Sequence, residues 1–173
     1  MRRGLRSEVA GLSKHLKGLL LAAVLGCVER SQPAQLEPPP VRPDGVVAYL
    51  VATATSAPNE YVLRAVTRHG IAVEGPASFV AALEFASANV KYLADASDTR
   101  TLRAVSTGDR IVRVAGAAPE GLASGELFAV RVAAAHTRDI NSVRLQLSEI
   151  NDQSGASLRS VLVVLPHMTW SAR

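Results

Sequence analysis

Cys27 is the only cysteine in the 173-residue chain, and its thiol is the side chain best suited to forming a covalent bond. A single cysteine cannot form a disulfide within the chain. It directly follows the apolar run 18–26, which ends in Gly26. The role of this thiol therefore depends on the function of the apolar run.

The first 26 residues have the layout of a secretory signal peptide. A basic region over residues 1–17 precedes the nine apolar residues, and small residues then lead to a point of cleavage. A helix that stays in a bilayer needs about 20 apolar residues, so this run is too short for a permanent span. A buried core helix would carry polar residues on one face, and the run has none.

The tetrapeptide Val24-Leu25-Gly26-Cys27 resembles the lipobox of bacterial lipoproteins. The resemblance implies cleavage between Gly26 and Cys27, acylation of the Cys27 thiol, and a membrane-anchored mature chain that begins at Cys27. In such lipoproteins an aspartate directly after the cysteine commonly signals retention in the inner membrane. Val28 stands at that position, so the resemblance also implies the outer membrane in a bacterium that has two membranes. The alternative is a signal peptide without a lipid, followed by an incidental cysteine.

Asp95 and Asp98 are the best candidates for oxygen ligands. Two carboxylates three residues apart in a loop can contribute to a calcium site. The alternative is a solvated turn, in which Asp and Ser side chains bond to their own backbone. Trp170, together with Tyr49 or Tyr61, is a candidate platform for stacking on a sugar ring, and the alternative is that it packs against the core.

No other combination of residues indicates catalysis or a resident cofactor. The four histidines, which are His15, His69, His136 and His167, lie far apart and have no metal-ligand spacing. The chain has no G-x-S-x-G elbow and no phosphate-cradling glycine loop. We therefore expect no metal, no cofactor and no enzymatic activity.

The excess of positive charge lies entirely in the leader. The chain has a net charge of +4, and residues 1–26 contain five of its basic residues against one acidic residue. Residues 27–173 contain 14 basic and 14 acidic residues, so the mature chain is neutral. It has no basic patch of the kind that neutralises phosphates, and we expect no binding to nucleic acid.

A proline-rich linker separates the leader from the folded part. Five prolines lie between Pro33 and Pro43, and proline both fixes φ and lacks an N–H. Such a segment is an extended spacer. The predicted organisation is therefore a signal peptide at 1–26, an anchored linker at 27–45 and one domain at 46–173.

The domain is predicted to be all-β. Apolar and β-branched segments alternate with glycine-containing breaks, which is typical of a sandwich or barrel. The clearest strand starts at Val143, where apolar and polar residues alternate up to Ser148. The last strand is expected to end at Pro166, and the loop 151–155 is expected to join the last two strands as a hairpin, with Gly155 at positive φ.

The segment 77–97 has two readings. Phe79, Leu83, Ala86, Val90 and Leu93 have helical spacing, whereas Phe79, Ala81, Leu83 and Phe85 have strand spacing. We predict a strand over Phe79–Phe85, followed by a turn or a short helical stretch to Leu93.

From about Tyr61 to Val164 the order of features resembles a cohesin-like domain, a family related to carbohydrate-binding modules. Three segments carry the resemblance: 77–93, 108–134 and 140–158. It implies a jelly-roll β-sandwich of eight or nine strands with one short helix. It also implies a non-catalytic module that binds an envelope protein or a polysaccharide. The first alternative is a structural subunit of an envelope or secretion assembly, and the second, less favoured, is an enzyme whose site residues are dispersed along the chain.

Overall fold

The computed structural model describes residues 40–98, 101–118, 120–122 and 125–171. These residues form an all-β domain with nine strands, one turn of α-helix (α1, Thr137–Ile140) and a 3-10 turn (Arg159–Val161). The predicted fold class is confirmed. The strands are β1 (Val46–Ala54), β2 (Glu60–His69), β3 (Ser78–Phe85), β4 (Lys91–Asp95), β5 (Leu102–Gly108), β6 (Ile111–Ala117), β7 (Glu126–Ala133), β8 (Val143–Asn151) and β9 (Leu162–Trp170).

The strands form two sheets. The five-stranded sheet has the order β4-β7-β2-β1-β9, and the four-stranded sheet has the order β5-β6-β3-β8. The pairing of β1 with β9 is parallel, and the other strand pairs are antiparallel. The first and last strands of the domain therefore lie side by side.

The core lies between the two sheets and is built from alternating residues of facing strands. In β3, Phe79, Ala81, Leu83 and Phe85 are all buried, as a period of two requires when one face is covered. The Phe79 ring stacks on Phe128 of β7, with ring centroids 5.8 Å apart. This aromatic pair joins the two sheets directly.

The segment 77–97 follows the strand reading. The strand predicted over Phe79–Phe85 is confirmed as β3, and a turn follows at residues 86–89. The structure then has the strand β4 in place of a helical stretch. The helical spacing of Val90 and Leu93 is therefore coincidental, since Val90 is buried while Leu93 is exposed.

Two predictions about the end of the domain are wrong. The loop 151–155 does not join two hairpin partners, because β8 and β9 belong to different sheets and β9 pairs with β1. The last strand also continues past Pro166 to Trp170. Proline is tolerated there because β9 is an edge strand and its register against β1 shifts at this point. The positive φ of Gly155 is confirmed, at 84°.

The predicted leader, Cys27 and residues 28–39 of the predicted linker lie outside the described residues. Within the described residues, no helix is both long enough and apolar enough to span a membrane.

Gly116 of β6 lies beneath the aromatic pair. A Cβ placed on Gly116 would lie 2.5 Å from two atoms of the Phe79 ring. The ring is held from the other side by Phe128, so it has little room to move.

We predict that Gly116→Val lowers the free energy of unfolding by about 1–3 kcal/mol, because the new side chain overpacks the core. Ala115→Val is the matched control, because Ala115 is the neighbouring residue, points outward and is exposed. Urea denaturation measures the free energy of unfolding of both variants. Equal midpoints for the two variants would contradict this account of Gly116.

Candidate binding face

The outward side of the four-stranded sheet is the candidate site, and we call it the outer face. Paired residues of neighbouring strands lie on the same side of a sheet, so the register assigns each residue to a side. Since Val112 and Val114 of β6 are buried, the residues that alternate with them point outward. The outer face comprises Ser78, Val80, Ala82, Glu84, Leu102, Ala104, Ser106, Ile111, Arg113, Ala115, Ala117, Arg144, Gln146 and Glu149.

Small side chains make the centre of the outer face nearly flat. Ala82, Ala104, Ala115 and Ser106 lie on three neighbouring strands. Arg113 stands among them, between Ser106 and Ala82, and the other large or charged side chains lie around them. A flat, rigid surface of this kind offers area for contact with a second macromolecule but does not enclose a small molecule.

Two shallow depressions lie on the outer face, near opposite ends of its strands. The first has a volume of about 430 Å³ and the second about 280 Å³. The first is bounded by Ser78, Phe79, Val80, Leu102, Arg103, Ala104, Ala115, Gly116, Ala117 and Glu149. The second is bounded by Glu84, Phe85, Ala86, Arg110, Ile111 and Arg144. Both are open enough to receive side chains of a partner.

The charges of the outer face are mixed. Arg113 is exposed and lies between its cross-strand neighbours Ser106 and Ala82. Glu84 of β3 lies directly opposite Arg144 of β8. Arg144 also donates to the backbone oxygen of Asn141 at 3.0 Å. Because both signs are present, the face suits a protein surface better than a polyanion.

The two sheets are held together at one edge by an ion pair. Arg103 of β5 points toward the five-stranded sheet, and its side chain is only 9% exposed. Its Nε lies 3.3 Å from Oδ2 of Asp95 at the end of β4, and the guanidinium also donates to the backbone oxygens of Asp98 and Thr101. The bridge therefore connects the edge strands β4 and β5.

The predicted ligand residue Asp95 is thus already engaged. Its Oδ1 accepts a hydrogen bond from the backbone N–H of Ser97 at 3.0 Å, and the Ser97 hydroxyl also donates to it. Burial raises the pKa of Asp95, but the hydrogen bonds from Ser97 and the Arg103 cation outweigh this effect and hold the pKa below its ordinary value. Among the described residues, no three His, Cys, Asp or Glu side chains form a metal-binding group. Calcium binding by Asp95 and Asp98 stays a prediction.

Trp170 lies at the end of β9, on the opposite edge of the five-stranded sheet from Asp95. The structure therefore does not bring the predicted ligand residues together. Trp170 donates from Nε1 to Oδ1 of Asn141 at 2.9 Å and meets Tyr61 edge-on, with an interplanar angle of 81°. Because these two rings are nearly perpendicular, they share no flat surface for a sugar, and Tyr49 is only 5% exposed. Sugar contact through Trp170 itself stays a prediction.

The histidines within the described residues lie in three separate places. His69 ends β2, His136 precedes α1 and His167 is in β9. Asp139 of α1, which no sequence pattern singled out, is only 7% exposed. Its Oδ1 accepts a hydrogen bond from the Ser87 hydroxyl at 2.8 Å, which ties α1 to the turn after β3. The residue type carries no signal of this burial, which depends on where the loops meet.

We predict that Asp95→Asn lowers the free energy of unfolding at pH 7 by about 0.5–1 kcal/mol, as expected for a partly exposed ion pair. Since the folded-state pKa of Asp95 is depressed, its contribution is complete above the ordinary pKa of 3.8 and is lost as the pH falls through the folded-state value. Urea denaturation between pH 2 and pH 8 measures the difference.

Asp109→Asn in the exposed β5–β6 turn is the matched control and should change little at any pH. If Asp95→Asn were destabilised as much at pH 2 as at pH 7, the loss of stability would not have an electrostatic origin.

No protein-family model and no curated protein sequence matches this chain. The solved structures that are similar to it include two with a TM-score of 0.50. One is a non-cellulosomal cohesin from the archaeon Archaeoglobus fulgidus, 18% identical, covering 75% of this chain and 90% of its own, with a TM-score of 0.50. The other is CaCohA2 from Clostridium acetobutylicum, which is 8% identical. The match covers 76% of this chain and 92% of that chain, also with a TM-score of 0.50. The fold is therefore a cohesin-like β-sandwich.

Proposed function

We propose that this domain is a non-catalytic protein-binding module of a bacterial cell envelope, anchored by a lipid on Cys27. The observation that carries the binding role is the outer face, which is exposed, nearly flat and bears both depressions. The cohesin-like fold supports the same role, because a relative of this fold is named a cohesin. The anchor rests on the lipobox-like sequence.

The other sheet offers a less open surface. By alternation, Val47 and Tyr49 of β1 lie on the side away from the core, but both are buried. The outward positions of the four-stranded sheet are mostly exposed, and they include Arg113 near the centre. Arginine is enriched among residues that dominate binding energy at protein interfaces. We therefore place the partner over Arg113.

We predict that Arg113→Glu reduces partner capture at least tenfold. The full chain, immobilised in its lipidated form, is incubated with envelope extract, and the proteins that it enriches are quantified by mass spectrometry. Reversal of a charge at the centre of an interface costs several kcal/mol, which is ample for this loss.

Arg131→Glu is the matched control, because Arg131 is an exposed arginine of β7, in the other sheet. It should retain capture. If Arg113→Glu retained capture as Arg131→Glu does, the outer face would be excluded as the binding surface. If both variants lost capture, the loss would be an unspecific effect of charge.

We predict that Cys27→Ser abolishes incorporation of labelled palmitate and moves the protein from the membrane fraction to the soluble fraction. The reason is that acyl chains are the proposed attachment, and each buried methylene contributes about 0.8 kcal/mol. Ser31→Ala in the linker is the control and should leave labelling intact. Palmitate uptake by Cys27→Ser would overturn the anchor while leaving the binding proposal untouched.

A further inference from the structure

The outer edge of β5 lacks the protection that the other three edge strands have. Edge strands usually carry a proline, a bulge or an outward charge that blocks pairing with another chain. β9 contains Pro166, and β4 and β8 each shift register against their neighbour. β5 contains no proline and pairs with β6 over seven consecutive residues without a shift.

The only charged residue of β5 cannot act as a protecting charge. Arg103 points inward, and its guanidinium is occupied by Asp95 and by two backbone oxygens. The remaining side chains of β5 are neutral, and almost all of them are exposed. Within the described residues, the far side of β5 has no strand partner.

The strand β5 also exposes apolar side chains. Among the exposed large hydrophobic residues of the described chain, Leu102 and Val105 both belong to β5, with exposures of 73% and 37%. Val105 pairs with buried Val114, so it lies on the core side of the sheet. Its exposure shows that the facing sheet does not cover it, although Val114 beneath the same edge is only 1% exposed.

We propose that β5 pairs antiparallel with β5 of a second copy of this chain, about a two-fold axis through Val105. The two four-stranded sheets then become one eight-stranded sheet, a size that open sheets commonly reach. The outer face of each copy stays accessible, so the pairing is compatible with partner binding but does not depend on it.

The strand is complementary to itself in this register. Val105 faces Val105 of the second copy, so each of these exposed apolar side chains covers the other. Ala104 faces Ser106, and Arg103 faces Thr107, so no like charges are opposed. A contact of this kind is isologous and closes as a dimer.

The outermost pair fits by shape. Leu102 faces Gly108 of the second copy, which has no side chain to obstruct it. A Cβ placed on Gly108 would lie 3.1 Å from Cγ2 of Ile111, so the Ile111 side chain leans over this glycine. The exposed Leu102 of one copy therefore meets the half-buried Ile111 of the other on the outer face.

Cross-linking tests the register. In the full chain with Cys27→Ser, Val105→Cys should form a disulfide-linked dimer under mild oxidation. Residues that face each other across an antiparallel pair have Cβ atoms about 4.5–5.5 Å apart, within reach of a disulfide after a small adjustment. Ser106→Cys and Gln146→Cys are the controls, since Ser106 faces Ala104 and Gln146 lies on β8.

Val105→Cys should cross-link at least tenfold faster than either control. Equal rates at the three positions would mean random collision and would overturn the proposal. No cross-link at Val105 would mean that the edge is closed or is reserved for a different strand, and would overturn it equally.

Sedimentation equilibrium tests the association without any change at Val105. The Cys27→Ser chain should show an average mass that rises with concentration, as expected for a small interface. Ser106→Lys adds an edge lysine on each side of the axis and should weaken self-association at least tenfold, whereas Gln146→Lys should not. A monomer at all concentrations, or equal effects of both lysines, would refute the dimer.

Discussion

The stacking of Phe79 on Phe128 is the contact on which the sandwich depends. The two rings belong to different sheets, and the chain has only three phenylalanines in all. The surrounding core consists mainly of valine, leucine and alanine from both sheets, and it packs in one continuous cluster with this pair. The stack requires a glycine at position 116, because any side chain there would occupy the space of the Phe79 ring. One aromatic pair thus dictates a residue on a third strand and the spacing of the sheets around it.

The same alternation that builds the core also produces the outer face. The strands β3, β6 and β8 place large apolar residues inward, whereas the outward positions of the sheet carry mainly alanine, serine and charged residues, with Val80, Leu102 and Ile111 among them. Small outward residues at the centre leave the backbone close to the surface and the face flat. A binding surface can therefore be built here without a pocket, since its rigidity comes from the packed layer beneath it.

The edges of the sandwich are stabilised by other contacts than its faces. At the edge formed by β4 and β5, the Arg103–Asp95 ion pair closes the gap between the sheets from within. This use of the arginine removes the one charge that would otherwise protect β5, so the strand is left neutral and Val105 stays partly exposed. A single inward-pointing side chain accordingly links the stability of this edge to its capacity for pairing with another strand.

Several elements of the domain could be predicted from the residues alone. The period of two over 143–148 identified β8, and the same period over Phe79–Phe85 identified β3 against a competing helical pattern. The positive φ of Gly155 followed from its place in a loop. These features are local, because the side that a residue faces and the backbone that it can adopt depend on its immediate neighbours.

The choice of partner strands was decided only by the tertiary structure. The sequence indicates that β8 and β9 are strands, but not that β9 leaves β8 to lie parallel to β1, more than 100 residues earlier in the chain. Likewise, no spacing shows that Arg103 turns inward to Asp95 or that β5 becomes an exposed edge. Hydrophobic period assigns a residue to a side of a strand, whereas pairing and edge position depend on which long-range arrangement buries the most apolar surface at once.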